Sequence, residues 1–375
     1  MKVEFFKHNI GRRELADLKR TLGGLFLTTG KEVELFENEL AGFLALPHAV
    51  GVTSCTAAIQ LALTGLGVGP GDEVITTPLS FAATALAVIQ AGATPVFADV
   101  EAGSGNLDPG QAELAITGRT RAILPVHLGG LLCDMKTLRS LADKHGLALV
   151  EDAAHALEAE RDGVRVGELG DAACFSFYPT KSITSGEGGA VATRHPELDK
   201  SLRLLRHHGM DCPAEKRYGK DDVSYRIVTM GWKYNMSNIQ AVLLRGQLER
   251  AWKMHGRRAR LAARYRRKLK NVPGVVLPPV HPEARHAHHL FTISVPAGCR
   301  RAFLGGMAER GVGVSVNYSP PIHLHPFFRD KYGFSQGDFP VAESISRTTV
   351  SLPLYPKLTN AEVDYVAGCV AELRR

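Results

Sequence analysis

The chain has 375 residues, of which 45% are hydrophobic and 22% are charged, and its net charge is +7. This length exceeds that of one average domain, so we expect a large domain together with a smaller one. The composition is that of a globular protein and excludes an intrinsically disordered chain. No apolar stretch is long enough to cross a bilayer, which excludes a membrane-spanning protein.

Two further features bound the cellular setting. The N-terminal segment MKVEFFKHNIGRRELADLKR lacks the apolar core of a signal peptide. The cysteines form neither a CxxC pair nor a zinc-ligand spacing, so we expect reduced thiols in a cytoplasmic protein and no metal site. These cysteines are Cys55, Cys133, Cys174, Cys212, Cys299 and Cys369.

Much of the basic excess lies in residues 257–270, RRARLAARYRRKLK. Such a run can bind nucleic acid or an anionic membrane. Its apolar residues Leu261, Ala262, Tyr265 and Leu269 recur at helical spacing, which favours a surface helix with a solvated basic face. Because no nucleic-acid motif accompanies the run, we expect neither nucleic acid nor membrane as a partner.

The chain up to about residue 250 alternates between short apolar runs and helical stretches. Helices are predicted over residues 31–45, 56–66 and 82–92 from the spacing of their apolar residues. Strands are predicted over residues 49–54, 73–78, 93–100, 121–127, 147–153, 173–181 and 188–194. Strands that alternate with helices indicate an α/β domain with a mainly parallel sheet.

The pattern changes after about residue 250. The basic helix is followed by a Pro-rich link into a strand within residues 272–295, a helix over 301–311 and a strand over 312–318. A Pro- and His-rich segment and a terminal helix over 360–373 complete the chain. We therefore predict a large domain of residues 1–250, whose N-terminal segment can pack on the small domain, and a small α+β domain of residues 251–375.

Polar residues follow several predicted strands, at the edge where α/β sheets bind ligands. Asp152 ends the apolar strand LALV, and Lys181 lies in the polar turn FSFYPTKSITSGEGG. Considered separately, Asp152 is best interpreted as the N-cap of a following helix, and Lys181 as a solvated lysine in a loop. Together they supply what pyridoxal 5'-phosphate requires: an amine for a Schiff base and a carboxylate that keeps the pyridine nitrogen protonated. A desolvated lysine also has a lowered pKa and is a better nucleophile.

Other residues are assigned to the cofactor by role. The sequence VTSCTAAIQLAL passes from a strand into a helix, so the amides of Cys55 and Thr56 and the Thr56 hydroxyl are predicted to bind the phosphate. Phe81 is predicted to stack on the cofactor ring, with a core position as the equal alternative. Ser176 is predicted to bond to the phosphate, and His155 to the phenolic oxygen of the ring.

At this point the sequence resembles the DegT/DnrJ/EryC1/StrS sugar aminotransferases, members of fold type I of the pyridoxal phosphate enzymes. The resemblance runs from LTTGKEVELFENELAGF to SLPLYPKLT and includes GPGDEVITTPLSFAATALAV, VEDAAHALEA, FSFYPTKSITSGEGGAVAT and GWKYNMSNIQAVLLRGQL. It implies a fold with a large, mainly parallel domain and a small C-terminal one. The family's cofactor residues fall on Lys181, Asp152, Thr56, Ser176 and Phe81.

The resemblance also implies a shared site and a substrate region. Asn235 is the asparagine that reaches the phosphate of a neighbouring subunit, which implies a homodimer. Many members have glutamine in place of His155, whereas EDAAH is similar to the branch that makes 4-amino-4-deoxy-arabinose nucleotides. Asn317 and Tyr318 stand where many members have a His-Tyr pair near the sugar nucleotide. His323 is a candidate substrate contact, with a structural role as the alternative.

The reaction that the resemblance implies moves an amino group from glutamate to a nucleoside-diphosphate keto sugar, with Lys181 as nucleophile and general base. The resemblance favours a 4-aminotransferase that acts on C4 of a UDP-4-keto sugar in bacterial amino-sugar or lipopolysaccharide biosynthesis. The alternative is a 3-aminotransferase of a dTDP or GDP keto sugar. A non-catalytic sensor that binds pyridoxal phosphate is the alternative from another class. A 3-dehydratase would have histidine in place of Lys181, and a dehydrogenase would have GxGxxG after its first strand.

Overall fold

The computed structural model of the chain describes residues 1–211 and 225–374, so Cys212 lies outside the described residues. Within those ranges the helices are α1 (Arg12–Leu22), α2 (Lys31–Leu44), α3 (Cys55–Gly65), α4 (Ala83–Gln90), α5 (Pro109–Leu114), α6 (Met135–His145), α7 (Pro196–Leu205), α8 (Asn238–Glu249), α9 (Ala251–Leu269), α10 (Ala297–Glu309), α11 (Pro326–Tyr332), α12 (Pro340–Thr348) and α13 (Asn360–Glu372). The strands are β1 (His48–Val52), β2 (Glu73–Thr76), β3 (Thr94–Phe97), β4 (Thr120–Leu124), β5 (Ala148–Asp152), β6 (Glu160–Arg161), β7 (Val164–Arg165), β8 (Ala172–Ser176), β9 (Gly189–Thr193), β10 (Ala284–Arg285), β11 (Phe291–Ser294) and β12 (Thr349–Leu352).

In the described part of the chain, seven strands form one sheet in the order β1-β9-β8-β5-β4-β2-β3. Neighbours from β8 to β3 are parallel, and β9 is antiparallel to both β8 and β1. The central strands are apolar and buried, as expected where both faces of a sheet are covered. The predicted α/β architecture with a mainly parallel sheet is confirmed. Every strand of the sheet except β9 therefore has its carboxyl end at the same edge.

Each strand predicted for the sheet is present, but several end earlier than the apolar runs suggested. The run over 73–78 ends its ladder at Thr76, the run over 121–127 at Leu124, and the run over 173–181 at Ser176. In each case the residues predicted as strand beyond the observed end include a proline, which has no N–H to donate to a ladder. The residues beyond the ladders form the turns at the carboxyl edge of the sheet.

Two local predictions were wrong. Residues 312–318 are not a strand: they make only the isolated bridges of Val312 with Val3 and of Ser315 with Ser351. No helix follows Asp152, because residues 153–159 form successive turns before β6. The Asp152 side chain accepts the amide of Ala154 two residues on, which stabilises a turn instead of a helix terminus.

Helix α9 contributes side chains to two clusters of the apolar core. Met254, near the start of α9, packs with the main core around the large sheet. Leu261, Tyr265 and Leu269 pack in a second core with β11, β12, α10 and α13, and their burial confirms the helical spacing of the basic run. The N-terminal segment also reaches this second core, where the Val3 amide donates to Gly311 O at 2.9 Å. The domain boundary at residue 250 stays a prediction.

Candidate active site

A cavity of about 430 Å³ opens at the carboxyl edge of the sheet, a size typical of small-molecule sites. The turns that follow β1, β2, β4, β5 and β8 line this cavity, and β9 starts there because it runs in the opposite direction. The residues predicted for the site that line this cavity are Cys55, Thr56, Phe81, Asp152, His155, Ser176, Lys181 and Tyr318.

Lys181 lies in the turn that follows β8. Its backbone N–H donates to Tyr178 O at 2.9 Å, which fixes the turn and directs the side chain into the cavity. Burial lowers the pKa of Lys181 from 10.5 to about 8, while Cys55 and Asp152 oppose this shift. A lysine with this pKa has a substantial neutral, nucleophilic fraction near pH 8.

Asp152 is the last residue of β5, and its side chain is only 5% exposed. Its Oδ2 accepts the Thr84 hydroxyl at 2.7 Å, and its Oδ1 accepts the Ala154 amide at 3.1 Å. The Ser80 hydroxyl lies 3.0 Å from that of Thr84. Sequence reasoning did not identify Thr84, although its position four residues after Ser80 places both hydroxyls on one side of the turn that enters α4. The carboxylate is therefore held in one orientation by neutral donors.

The N-terminus of α3 forms the far wall of the cavity. The Ser54 hydroxyl accepts the Ala57 amide at 3.1 Å, so the first turn is capped. The amides of Cys55 and Thr56 have no acceptor within the helix and are available to an anion. Gly189 makes this arrangement possible, since a Cβ there would lie 2.3 Å from the Ser54 carbonyl carbon.

His155 lies in the turns after β5. The Gly129 amide donates to its Nδ1 at 3.2 Å, so the proton of the neutral ring lies on Nε2, which is 3.3 Å from the Tyr318 hydroxyl. Burial, together with the charge of Lys181, holds the pKa of His155 well below its usual value. The His289 ring stacks on it with centroids 4.2 Å apart. His155 therefore presents a neutral hydrogen-bond donor to the cavity.

Phe81 and Tyr318 are among the aromatic residues that line the cavity. Phe81 is 64% exposed in the single chain, which excludes the core position that its sequence context allowed. The Tyr318 ring lies 6.2 Å from that of Phe81 and comes from the C-terminal part of the chain. Burial raises the pKa of Tyr318, so its hydroxyl stays protonated.

Three predicted residues lie outside the cavity. Asn235 donates to the Thr29 hydroxyl at 2.6 Å and lines a different surface cavity. Asn317 lines a separate cleft between the two parts of the core. His323 is 0% exposed and lies 3.2 Å from Glu343, which favours the structural role named as its alternative, and its contact with a substrate stays a prediction.

These residues fit pyridoxal phosphate. The cavity combines a lysine whose pKa is lowered by burial, a fixed carboxylate at a strand end, and a capped helix N-terminus that suits a phosphate. The close approach of Gly189 to the turn before α3 leaves space only for a residue without Cβ, which keeps that N-terminus at the cavity wall.

Comparisons with known proteins agree with this assignment. Residues 8–371 match the model of the DegT/DnrJ/EryC1/StrS aminotransferase family. The spore coat polysaccharide biosynthesis protein SpsC of Bacillus subtilis (strain 168) is 42% identical over 370 residues, which cover 97% of this chain and 95% of SpsC. The dTDP-3-amino-3,4,6-trideoxy-alpha-D-glucose transaminase of Streptomyces venezuelae is 40% identical over 358 residues, covering 95% of this chain and 91% of that enzyme.

A solved structure points to the same cofactor. The PLP-form of Spr1654 from Streptococcus pneumoniae superposes with a TM-score of 0.93 at 28% identity, covering 100% of this chain and 99% of that one. A PMP-form of the same protein superposes with a TM-score of 0.94. The chain belongs to the DegT/DnrJ/EryC1/StrS aminotransferase family and is a pyridoxal phosphate-dependent sugar aminotransferase of fold type I.

Proposed function

We propose that this enzyme moves an amino group from glutamate to C4 of a UDP-4-keto sugar. The observation that carries the transfer is the convergence of Lys181, Asp152 and the N-terminus of α3 on one cavity. The choice of C4 and UDP rests on the similarity of EDAAH to the 4-aminotransferase branch, and the position of His155 in the cavity wall supports a role for that motif.

Bound pyridoxal phosphate supplies an aldehyde that takes up the amino group and a ring that accepts carbanion electrons. Lys181 Nζ would hold that aldehyde carbon until the amine of glutamate takes its place. The freed Nζ would take the α-proton of glutamate and pass a proton to the carbon that it had held, and water would supply the keto oxygen of the released 2-oxoglutarate. With the sugar, Nζ would move a proton in the opposite direction, onto the sugar carbon whose keto oxygen leaves as water, so one side chain would serve as nucleophile and proton carrier.

Asp152 and the α3 N-terminus would hold the two ends of the cofactor. The Asp152 carboxylate, fixed by Thr84 and the Ala154 amide, would bind the pyridine nitrogen and keep it protonated. The amides of Cys55 and Thr56 would bind the phosphate. Ser176, at the end of β8, lines the same wall and adds a hydroxyl.

We also propose a homodimer in which Asn235 of each subunit reaches the phosphate of the other site. Asn235 forms an isolated bridge with Val52, at the end of the strand that leads to the phosphate-binding turn. Apolar side chains that are largely exposed in the single chain support a partner on this side, among them Leu25 at 88% and Met230 at 67% exposed.

Amination at C3 of a dTDP keto sugar is the second candidate. The 40% identical enzyme from Streptomyces venezuelae bears a name that specifies a 3-amino dTDP sugar. Both reactions use the same lysine, carboxylate and phosphate site, so the difference lies in how the sugar is oriented over the cofactor.

A panel of UDP- and dTDP-linked 3-keto and 4-keto sugars, each incubated with glutamate, distinguishes the two candidates. We expect release of 2-oxoglutarate with the UDP-4-keto sugars, and NMR spectra that place the new amine on C4. An amine on C3, or turnover with dTDP sugars alone, would replace the proposal by the second candidate.

A further inference from the structure

A buried ion pair lies behind the cavity, outside the residues that line it. Arg258 of α9 and Glu158 are 3% and 1% exposed, and Arg258 Nη2 lies 2.8 Å from Glu158 Oε1. Arg258 is thus an exception on a helix whose other basic residues are at least partly exposed. The pair has contacts on two sides, and each leads to a different residue of the active site.

The first contact leads to the catalytic lysine. Ser182, the residue after Lys181, donates its hydroxyl to Glu158 Oε2 at 3.1 Å. Glu158 therefore binds Arg258 with one carboxylate oxygen and the Lys181 turn with the other. A change in the position of this carboxylate changes the position of that turn.

The second contact leads to His155. Arg258 Nε and Nη2 both donate to Ala287 O, at 3.2 and 3.1 Å, and the Ala287 amide donates to Gly130 O at 2.8 Å. The preceding residue, Gly129, donates the amide hydrogen bond that fixes the tautomer of His155. The fit around Gly130 is close, since a Cβ there would lie 2.9 Å from His155 O.

Stability alone does not account for this pair. A buried ion pair contributes little to net stability, because the desolvation of both charges offsets their attraction. The guanidinium also keeps Nη1 buried without a hydrogen-bond partner in the described part of the chain, which is a further cost. A pair that is costly, yet bonded on one side to Ser182 beside Lys181 and on the other to Ala287, fits a role in positioning.

We propose that Glu158 and Arg258 are positioning residues that hold the Lys181 turn and the His155 turn in register. The inference rests on the roles proposed for Lys181 and His155. Because α9 packs in both parts of the core, the pair also ties the active site to the C-terminal part of the chain.

The test compares four variants of the cofactor-loaded enzyme: Arg258→Met, Arg258→Lys, the double variant Glu158→Met/Arg258→Met, and Arg264→Met. Arg264 lies on the same helix and forms a partly exposed pair with Asp364, so its variant is the matched control. The readouts are the pH midpoint of the cofactor's visible absorbance band and the thermal unfolding midpoint. For the glutamate half-reaction we measure the limiting rate constant (kcat) and the half-saturating glutamate concentration (KM).

We expect Arg258→Met to lower kcat about tenfold, with a smaller change in KM, and to shift the absorbance midpoint by about half a pH unit, since a 1.4 kcal/mol effect is tenfold in rate. The double variant should recover the unfolding midpoint but neither kcat nor the absorbance midpoint. Arg258→Lys can make one of the contacts that the Arg258 guanidinium makes, so it should recover part of kcat. The groups that face Lys181, namely Cys55, Asp152, His155 and His289, are unchanged in all four variants. The charge of Arg258, which also lowers the pKa of His289, is kept in Arg258→Lys and in Arg264→Met.

The contrary result is a double variant that recovers its unfolding midpoint and, with it, both kcat and the absorbance midpoint. That result would overturn the proposal, because the pair would then have only a structural role. The same holds if Arg264→Met and Arg258→Met behave alike. Arg258→Lys keeps the charge and tests the proposal even where Arg258→Met does not fold. Failure of the role proposed for Lys181 is a separate result, since the unsubstituted enzyme would then lack the absorbance band and the half-reaction. Amination at C3 instead of C4 would leave both readouts in place.

Discussion

The carboxylate of Asp152 depends on a hydroxyl that was assigned no role from the sequence. Thr84, 2% exposed, donates to it at 2.7 Å. We expect Thr84→Val, which keeps the shape of the side chain, to slow the glutamate half-reaction about tenfold, because a hydrogen bond to a charged group contributes about 1.5–3 kcal/mol. Stopped-flow absorbance with glutamate alone measures this rate.

Thr84→Ser is the matched control, since it keeps the hydroxyl, and it should retain most of the rate. If Thr84→Val reacts as fast as the unsubstituted enzyme while Asp152→Asn is inactive, the Thr84 contact has no part in orienting the carboxylate.

The amine of Lys181 gives a prediction about pH. Burial lowers its pKa to about 8, so the protonated form dominates below that pH and the neutral, nucleophilic form above it. The rate at which the cofactor-free enzyme captures pyridoxal phosphate should therefore rise about tenfold per pH unit below pH 8 and level off above it. The growth of the visible absorbance band between pH 6.5 and 9.5 measures this rate. A rate that still rises steeply at pH 9.5, as for a lysine with an ordinary pKa, would contradict the lowered pKa.

At the scale of elements, the turn between β1 and α3 is set by its contact with β9. Gly189 pairs with Val52 on one side and Ser176 on the other, and any Cβ at this position would overlap the Ser54 backbone. We expect Gly189→Ala to displace the α3 N-terminus and to raise the Kd for pyridoxal phosphate at least about tenfold. Absorbance titration of the cofactor-free protein gives the Kd.

The control for this substitution is Gly42→Ala within α2, where an added Cβ meets no atom within 4 Å and alanine is the better helix former. It should leave the Kd unchanged and the unfolding midpoint equal or higher. An unchanged Kd in Gly189→Ala would show that the phosphate is held elsewhere.

The sequence predicted the elements of the large sheet well because apolar runs and helical spacing are local signals. The ends of strands were less accurate, since hydropathy continues past the point where proline interrupts the ladder, as at Pro78 and Pro125. Residues 312–318 had the apolar character of a strand but formed only isolated bridges. The sequence of a strand does not specify whether a neighbouring strand is present to pair with it.

The candidate site was predicted only in part, because the sequence identifies residues within motifs but not the residues that contact them in the fold. Residues within recognisable motifs, such as Asp152 and Lys181, converge on the cavity, whereas their partners come from distant segments. Gly129 and His289 contact His155 only because the turns after β4 and before β11 meet in the fold. For His323 the sequence left a substrate contact and a structural role open, because it gives no sign of the contact with Glu343.

At the scale of the whole molecule, the proposed active site contains residues from two chains. If Asn235 completes the partner's site, each site uses Lys181 from one chain and Asn235 from the other. Lys181→Ala and Asn235→Ala homodimers should each have little activity. A mixture allowed to exchange subunits should regain activity, because the mixed dimer contains one intact site. Assays of product formation before and after exchange, with light scattering to record the dimer, measure this effect.

Activity that stays at the level of the separate variants after exchange, with mixed dimers present, would mean that each site is built within one chain. The proposed homodimer with shared sites would then be wrong, although the roles of Lys181 and Asp152 would stand.

The most direct test of the central claim is the identity of the lysine that carries the cofactor. Borohydride reduction of the yellow holoenzyme, followed by peptide mass spectrometry, fixes the cofactor on the residue that holds it. We expect loss of the visible band and a phosphopyridoxyl group on the peptide that contains Lys181, and neither result in Lys181→Ala. A phosphopyridoxyl group on another lysine, or a protein that acquires no visible band with added pyridoxal phosphate, would contradict the central claim.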